Sequence, residues 1–252
     1  MNKRKTVLIT GATSGVGYAV AQRLLNEKEN FEVFVTGRSI EKLAALTKLG
    51  AVAIEADLTN PADMNRLVNN CPSPQIVLFC AGVGLFQAAH LLPDDASRDM
   101  METNVLAPIA LTKRVLPAMM DRRSGHLLYV GSQAGKVATP KASVYAASKH
   151  ALLGYTNALR MEVAAFNIQV SVVNPGPIDT PFIDRADTTG TYRASLGKHL
   201  LTIDEVADCI QETISTPKRD VNLPGIMGFT SKLYGLAPTL VEKLGRKYFM
   251  KK

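Results

Sequence analysis

Tyr145 and Lys149 stand four residues apart in Tyr145-Ala146-Ala147-Ser148-Lys149, within a segment running from Lys141 to Leu153. On a helix that spacing puts both side chains on one face, separated by about 6 Å of axial rise. A free tyrosine has a pKa near ~10 and exchanges its proton poorly at neutral pH, whereas an ammonium fixed beside it favours the phenolate. The pair is therefore equipped for acid–base chemistry. A tyrosine and a lysine can also share a helix face with no joint role, so the elements that must position them decide.

Short apolar runs at 6–10, 31–36, 52–56, 75–80, 127–130 and 168–173 alternate with longer helical patterns. Runs that are continuously apolar mark strands buried on both faces, which predicts a doubly wound parallel sheet in an α/β fold. Asn60-Pro61 supplies an N-cap with proline at the first helical position, and Thr202 with Glu205 forms a capping box ahead of Val206, Ile210 and Ile214. No repeat or low-complexity tract divides the chain. It is expected to form one catalytic domain, 1–225, followed by a basic amphipathic tail, 226–252.

The turn after the first strand reads Thr10-Gly11-Ala12-Thr13-Ser14-Gly15-Val16-Gly17. Glycines there allow close backbone approach, and the open amides of the following helix suit a pyrophosphate, so a dinucleotide is expected. The spacing is not the usual G-x-G-x-x-G. After the second strand comes Thr36-Gly37-Arg38-Ser39, with no carboxylate to accept the ribose hydroxyls. Arg38 can instead meet a 2′-phosphate, which favours NADP(H), or serve as a solvated turn arginine. Asp57, in Ala56-Asp57-Leu58-Thr59, accepts from an adenine amino group or caps a turn.

The chain is 46% hydrophobic and 20% charged, the composition of a soluble globular protein, and no apolar run approaches the ~20 residues of a membrane span. The basic start at Met1-Asn2-Lys3-Arg4-Lys5 precedes too short an apolar run for a secretion signal. Three scattered cysteines, Cys71, Cys80 and Cys209, suit neither a disulfide framework nor a metal site, and a reducing cytoplasm is expected. Of the net +7, residues from Lys218 onward carry +6, eight Lys/Arg against Asp220 and Glu242. The body is close to neutral, which argues against nucleic-acid binding.

Taken together, the glycine loop, Asp57, Cys80-Ala81-Gly82, Asn104, Gly131-Ser132, Tyr145 with Lys149, and Asn174-Pro175-Gly176 resemble the short-chain dehydrogenase/reductase family in type and order, from residue 10 to about residue 180. The resemblance implies a carbonyl/alcohol oxidoreductase with four catalytic positions. Tyr145 exchanges a proton with the substrate oxygen as hydride moves, and Lys149 holds the cofactor ribose and lowers the tyrosine pKa. Ser132 bonds the same oxygen, and Asn104 holds a water linking Lys149 to solvent. It implies cofactor contacts from Gly11, Thr13, Ser14, Gly15, Val16, Gly17, Arg38, Asp57, Leu58, Cys80, Ala81, Gly82, Tyr145, Lys149, Pro175, Gly176, Ile178 and Thr180, and a homodimer or homotetramer.

Two departures stand out from that pattern. Cys80 occupies the usual asparagine place and reads as a small buried hydrophobe. The chain also ends with Val221-Asn222-Leu223-Pro224-Gly225 and a tail, where many members finish on a strand and a glycine-rich turn. In that tail Leu240, Val241, Leu244 and Tyr248 lie along one side and Lys243, Arg246 and Lys247 on the other. Packing on the body is favoured over a partner subunit or a weak contact with an anionic membrane surface.

The stretch 177–201 reads as a substrate lid, with Phe182, Ile183, Tyr192 and Leu196 as apolar candidates, and Val83, Leu85 and Phe86 opposite. An apolar ketone or aldehyde suits it, with His90 and His199 as polar or merely surface residues. The alternative to an enzyme is a catalytically silent NADP-binding regulator, which the intact set of four polar residues disfavours.

Overall fold

Val7, Leu8 and Ile9 are consecutive and fully buried, yet they serve two cores. Val7 and Ile9 pack with Val20, Leu24 and Ile210, while Leu8 packs with Met64, Leu111 and Leu159 on the opposite face. Successive side chains of a strand point to opposite faces, so a continuous apolar run needs helices on both.

The computed structural model describes residues 4–71, 73–197 and 200–249, with side chains to Arg246 in the last segment. The elements in order are β1 (Lys5–Thr10), α1 (Gly15–Asn26), β2 (Phe31–Gly37), α2 (Ile40–Lys48), β3 (Val52–Glu55), α3 (Pro61–Asn70) and β4 (Ile76–Phe79). Then come α4 (Asp94–Met101), a π-helical turn (Glu102–Leu106), α5 (Ala107–Asp121), β5 (Gly125–Val130), α6 (Ser143–Val163) and β6 (Ile168–Pro175). The chain continues through α7 (Pro181–Ala186), α8 (Thr191–Leu196), α9 (Ile203–Ser215), β7 (Asp220–Leu223), α10 (Ile226–Leu236) and α11 (Pro238–Phe249).

The seven strands form one parallel sheet in the order β3-β2-β1-β4-β5-β6-β7, the doubly wound, Rossmann-type arrangement expected from the apolar runs. Order reverses between β1 and β4, and the crevice outside their carboxyl ends is where such sheets take ligands. The caps also form as expected. Asn60 accepts from the amides of Ala62 and Asp63 at 2.9 and 3.3 Å, and Thr202 and Glu205 complete their capping box.

Two expectations are corrected here. The segment after residue 219 contains a seventh strand, parallel to β6 with Val173 opposite Val221. It escapes an apolar-run reading because it is a four-residue edge strand, half polar in Asp220 and Asn222. In the tail, Leu240 and Leu244 do not pack on the body: they are 55% and 78% exposed, and Val241 is half-buried instead. The side chains of Lys247 and Tyr248, and the whole of His199, lie outside the described residues.

At the start of β5, far from the carboxyl ends, His126 is buried with Nε2 2.9 Å from Ser171 Oγ and no partner for Nδ1 among the described residues. Burial lowers its pKa to about 4 from 6.5, with the Lys5 charge adding to the effect. Between these values the unfolded chain binds a proton that the folded chain refuses, so stability falls as pH drops through this window. From pH 7 to pH 5 this residue should cost about 2 kcal/mol of unfolding free energy. Denaturant melts at both pH values should show that loss, and His126→Gln should remove most of it.

Candidate active site

The first turn is built by backbone standing where side chains would otherwise be. A Cβ on Gly11 would lie 2.7 Å from Ala81 Cα, and one on Gly17 would lie 2.6 Å from the Gly11 carbonyl oxygen. Gly11 and Gly15 hold φ of +67° and +58°, the left-handed region that glycine adopts without strain. Thr10 ties β1 to β4, its hydroxyl accepting from the amides of Cys80 and Ala81 at 3.0 and 3.2 Å and donating to the Leu78 carbonyl. Thr13 packs its methyl against Gly37, so the turn also rests on the end of β2.

Helix α1 starts at Gly15 without a side-chain cap from Ser14. Its first amides, with Val16 and Gly17 behind them, are thus available to an anion. Thr180 stands across from this turn, its methyl 3.5 Å from the place of a Gly15 Cβ. An uncapped helix start and a cradle that any Cβ would fill fit a dinucleotide pyrophosphate.

Arg38 and Asp57 come together at the ends of β2 and β3, on the far side of the crevice from Tyr145. Arg38 is exposed. The Asp57 carboxylate accepts from the Thr59 hydroxyl and amide at 2.7 and 2.9 Å, and these bonds, helped by the Arg38 charge, hold its pKa below the usual value. Leu58 is half-buried beside it, and on the other flank Pro175 ends β6, with Gly176 and Ile178 following it. Cys80 also lies in this wall: the Gly17 amide donates to its sulfur, and burial raises the thiol to about 11.

The α6 residues face inward as their spacing predicts. Tyr145 and Lys149 are 8% and 5% exposed, with the ammonium 5.9 Å from the tyrosine ring centroid. Lys149 Nζ donates to the Val130 carbonyl at 3.0 Å, and a Cβ on Gly82 would approach it to 3.8 Å. Burial lowers the lysine pKa to about 8. Burial also raises Tyr145 to about 12, with a hydrogen bond from Ser132 pulling the other way. The expected net lowering of the tyrosine is thus reversed in the protein alone, because withdrawal from water outweighs its polar neighbours.

Asn104 sits in the π-helical turn, a feature concentrated at functional sites. Its amide is engaged by protein: Oδ1 accepts from the Val83 amide, and Nδ2 donates to the Val83 carbonyl, both at 2.9 Å. Nδ2 also donates to Ser148 Oγ at 3.0 Å, and Ser148 donates to the Tyr145 carbonyl at 2.8 Å. Asn104 therefore clamps the β4 loop to the helix of Tyr145. Ser148 is the residue that sequence reasoning passed over, although it stands inside the Tyr145–Lys149 segment. Ser132 stands two residues beyond the end of β5, where its hydroxyl also accepts from the Ala134 amide at 3.1 Å.

Within the expected lid, α7 and α8 lie over this group. The Phe86 amide donates to the Ala186 carbonyl at 2.7 Å, and Arg193 pairs with Asp184 at 2.7 Å and with Asp179. Phe86 and Phe182 bring rings to 5.7 and 5.8 Å of Tyr145, and Tyr192 stands edge-on to Phe86 at 5.4 Å. Gly84 is required beneath them, since a Cβ there would lie 2.8 Å from Phe182. Val83, Leu85 and Leu196 are half-buried nearby in sequence, Ile183 is buried in the lid itself, and His90 is exposed.

Residues 5–189 match the family model described as short chain dehydrogenase. The uncharacterized oxidoreductase YbbO of Escherichia coli is 32% identical over 74% of this chain and 70% of its own length. Dehydrogenase/reductase SDR family member 7B of Rattus norvegicus is 30% identical over 96% of this chain and 80% of its own. Among solved structures, serine dehydrogenase complexed with NADP+ superposes with a TM-score of 0.80 at 25% identity, covering 86% of this chain and 93% of that one. A variant of actinorhodin polyketide ketoreductase with NADPH gives 0.78 at 28% identity, covering 89% and 97%. Since the matched region takes in the glycine turn and both members of the buried Tyr145–Lys149 pair, and extends over well over half of the chain, this protein belongs to the short-chain dehydrogenase family.

Proposed function

We propose that the protein is an NADP(H)-dependent oxidoreductase that interconverts an apolar ketone or aldehyde with its alcohol, with Tyr145 as the acid/base. The observation that carries this reading is the buried phenol of Tyr145, bonded by Ser132, beside the Lys149 ammonium and against the rings of Phe86 and Phe182. NADP+ and NADPH in the two solved relatives, together with Arg38 and the absence of a carboxylate after β2, support the phosphorylated cofactor.

A reduced nicotinamide held in the crevice would supply the hydride to the carbonyl carbon. Tyr145 gives its proton to the carbonyl oxygen, and Ser132 donates a hydrogen bond to that oxygen while negative charge develops there. Lys149, held by Val130, stabilises the phenolate left behind until it is reprotonated. The glycine turn and α1 hold the pyrophosphate, Arg38 the 2′-phosphate, and Asp57 and Leu58 border the adenine. The loop after β6, through Pro175, Gly176, Ile178 and Thr180, borders the nicotinamide. Phe86, Phe182 and Tyr192 exclude water and favour an apolar substituent. Exposed Leu106, at the end of the π-helical turn that leads into α5, and exposed Met161 on α6 support pairing of copies through α5 and α6.

Tyr145→Phe should keep NADPH affinity and lose at least ~100-fold in turnover across a panel of carbonyls, because only the proton donor is removed. Wild-type protein that binds NADPH but turns over no member of the panel would favour a silent regulator.

The Arg38 contact should be worth roughly 1.5–3 kcal/mol, so NADPH should bind about ten- to a hundredfold tighter than NADH. Fluorescence titration of Arg38→Ala should find most of that difference gone.

With Tyr145 protonated to about 12 and Lys149 charged only below about 8, carbonyl reduction should fall as pH rises through 8. The limb belongs to the lysine, so Lys149→Arg should move it upward in a pH profile of residual kcat/KM.

A further inference from the structure

Helix α10 is amphipathic in the reverse of the usual sense. The side turned to the body carries Met227, Gly228, Ser231 and Tyr234. Gly228 lies against Asn222, whose Nδ2 is 3.1 Å from the place of a Cβ, and Ser231 is 7% exposed. Ile226, Phe229, Leu233 and Leu236 point the other way and are 70%, 70%, 45% and 85% exposed. At 100° per residue these four fall within an arc of roughly 80°, a single stripe. Leu240 and Leu244 extend the apolar surface onto α11. Scattered apolar residues on a surface need no explanation, but six of them on two successive helices mark an interaction face.

The charges beside this face identify its partner. Lys232, Lys243 and Arg246 are all exposed, the last two at the mouth of the groove between α11 and residues 138–140, and the one carboxylate between residues 224 and 246, Glu242, accepts a bond from the Tyr234 hydroxyl at 2.9 Å. A two-fold contact with a second copy would bring the same basic residues toward each other. A surface of anionic lipid headgroups receives all of them, while the apolar stripe enters the boundary between headgroups and chains. We propose that the outer face of α10 and α11 docks the protein on an anionic membrane surface. No helix among the described residues is long and apolar enough to cross a membrane, so the contact is peripheral. Strand β7 delivers α10 at the carboxyl edge of the sheet, and Met227 Sδ lies 3.1 Å from the place of a Gly176 Cβ. The docked face and the lid thus share one end of the molecule, although docking itself does not depend on the catalytic reading.

The test is sedimentation of the full chain with vesicles of phosphatidylcholine, alone or with about a third phosphatidylserine, alongside size-exclusion chromatography. Binding should require the phosphatidylserine and weaken as salt rises. Phe229→Ser with Leu236→Ser should reduce it at least ~10-fold without lowering the melting temperature, because both side chains already stand largely in water, 70% and 85% exposed. Lys232→Glu with Lys243→Glu should weaken it through charge alone. Equal binding to neutral vesicles, no binding at all, or self-association abolished by the serine variant in place of lipid binding would each overturn the proposal.

Discussion

An ammonium withdrawn from water governs the arrangement of the site. Taking a lysine charge out of solvent costs several kcal/mol unless hydrogen bonds replace the water. For Lys149 the replacement is a main-chain carbonyl, Val130, rather than a carboxylate, and the described ion pairs lie elsewhere. The last carbonyl of β5 must therefore point at α6, Gly82 must carry no side chain, and α6 must keep its rotation. Asn104 and Ser148 supply that last restraint by joining the β4 loop to the first turn of α6. A carboxylate in place of the carbonyl would have kept the lysine charged to high pH and neutralised the charge that a phenolate needs.

Backbone contacts explain why an unusual residue is tolerated next to this charge. Cys80 stands in the asparagine place of the pattern this chain resembles, and it offers no amide. The amides of Cys80 and Ala81 both reach the Thr10 hydroxyl, so the turn is fastened by the first strand and not by residue 80. The thiol receives the Gly17 amide and stays protonated at neutral pH, since burial lifts it to about 11. A protonated thiol packs as a small apolar group and adds no negative charge beside the loop.

The sheet was largely legible in the sequence because β1, β2, β4 and β6 are buried on both faces and have to be continuously apolar. Asp220 and Asn222 made β7 illegible: they are polar because they bond Asn174, Lys136 and Gln133 at the end of the neighbouring strands. The tyrosine, lysine, serine and asparagine could be singled out as a set. What those residues do for one another depends on contacts between segments far apart in the chain, such as the clamp of Asn104 on Val83. Nothing in Glu102–Leu106 announces a π turn. The lid was visible as excess length, but its closure rests on the bond from Phe86 to Ala186, which no local pattern encodes. The tail shows the limit of periodicity, which locates an apolar stripe without saying which way it faces.

The strand order also constrains how the chain reaches this structure. The central strand, β4, needs β1 as a neighbour, and the two are separated by roughly seventy residues, so a large loop must close before the middle of the sheet exists. Strands β5, β6 and β7 are then added outward, each to the open side left by the one before. During synthesis the growing sheet therefore presents a fresh, fully apolar edge until the next strand emerges, an edge that invites pairing with another chain. Only the short, half-polar β7 ends that succession. Its Asp220 and Asn222, which hid it from a reading of apolar runs, make it a poor template for a further strand.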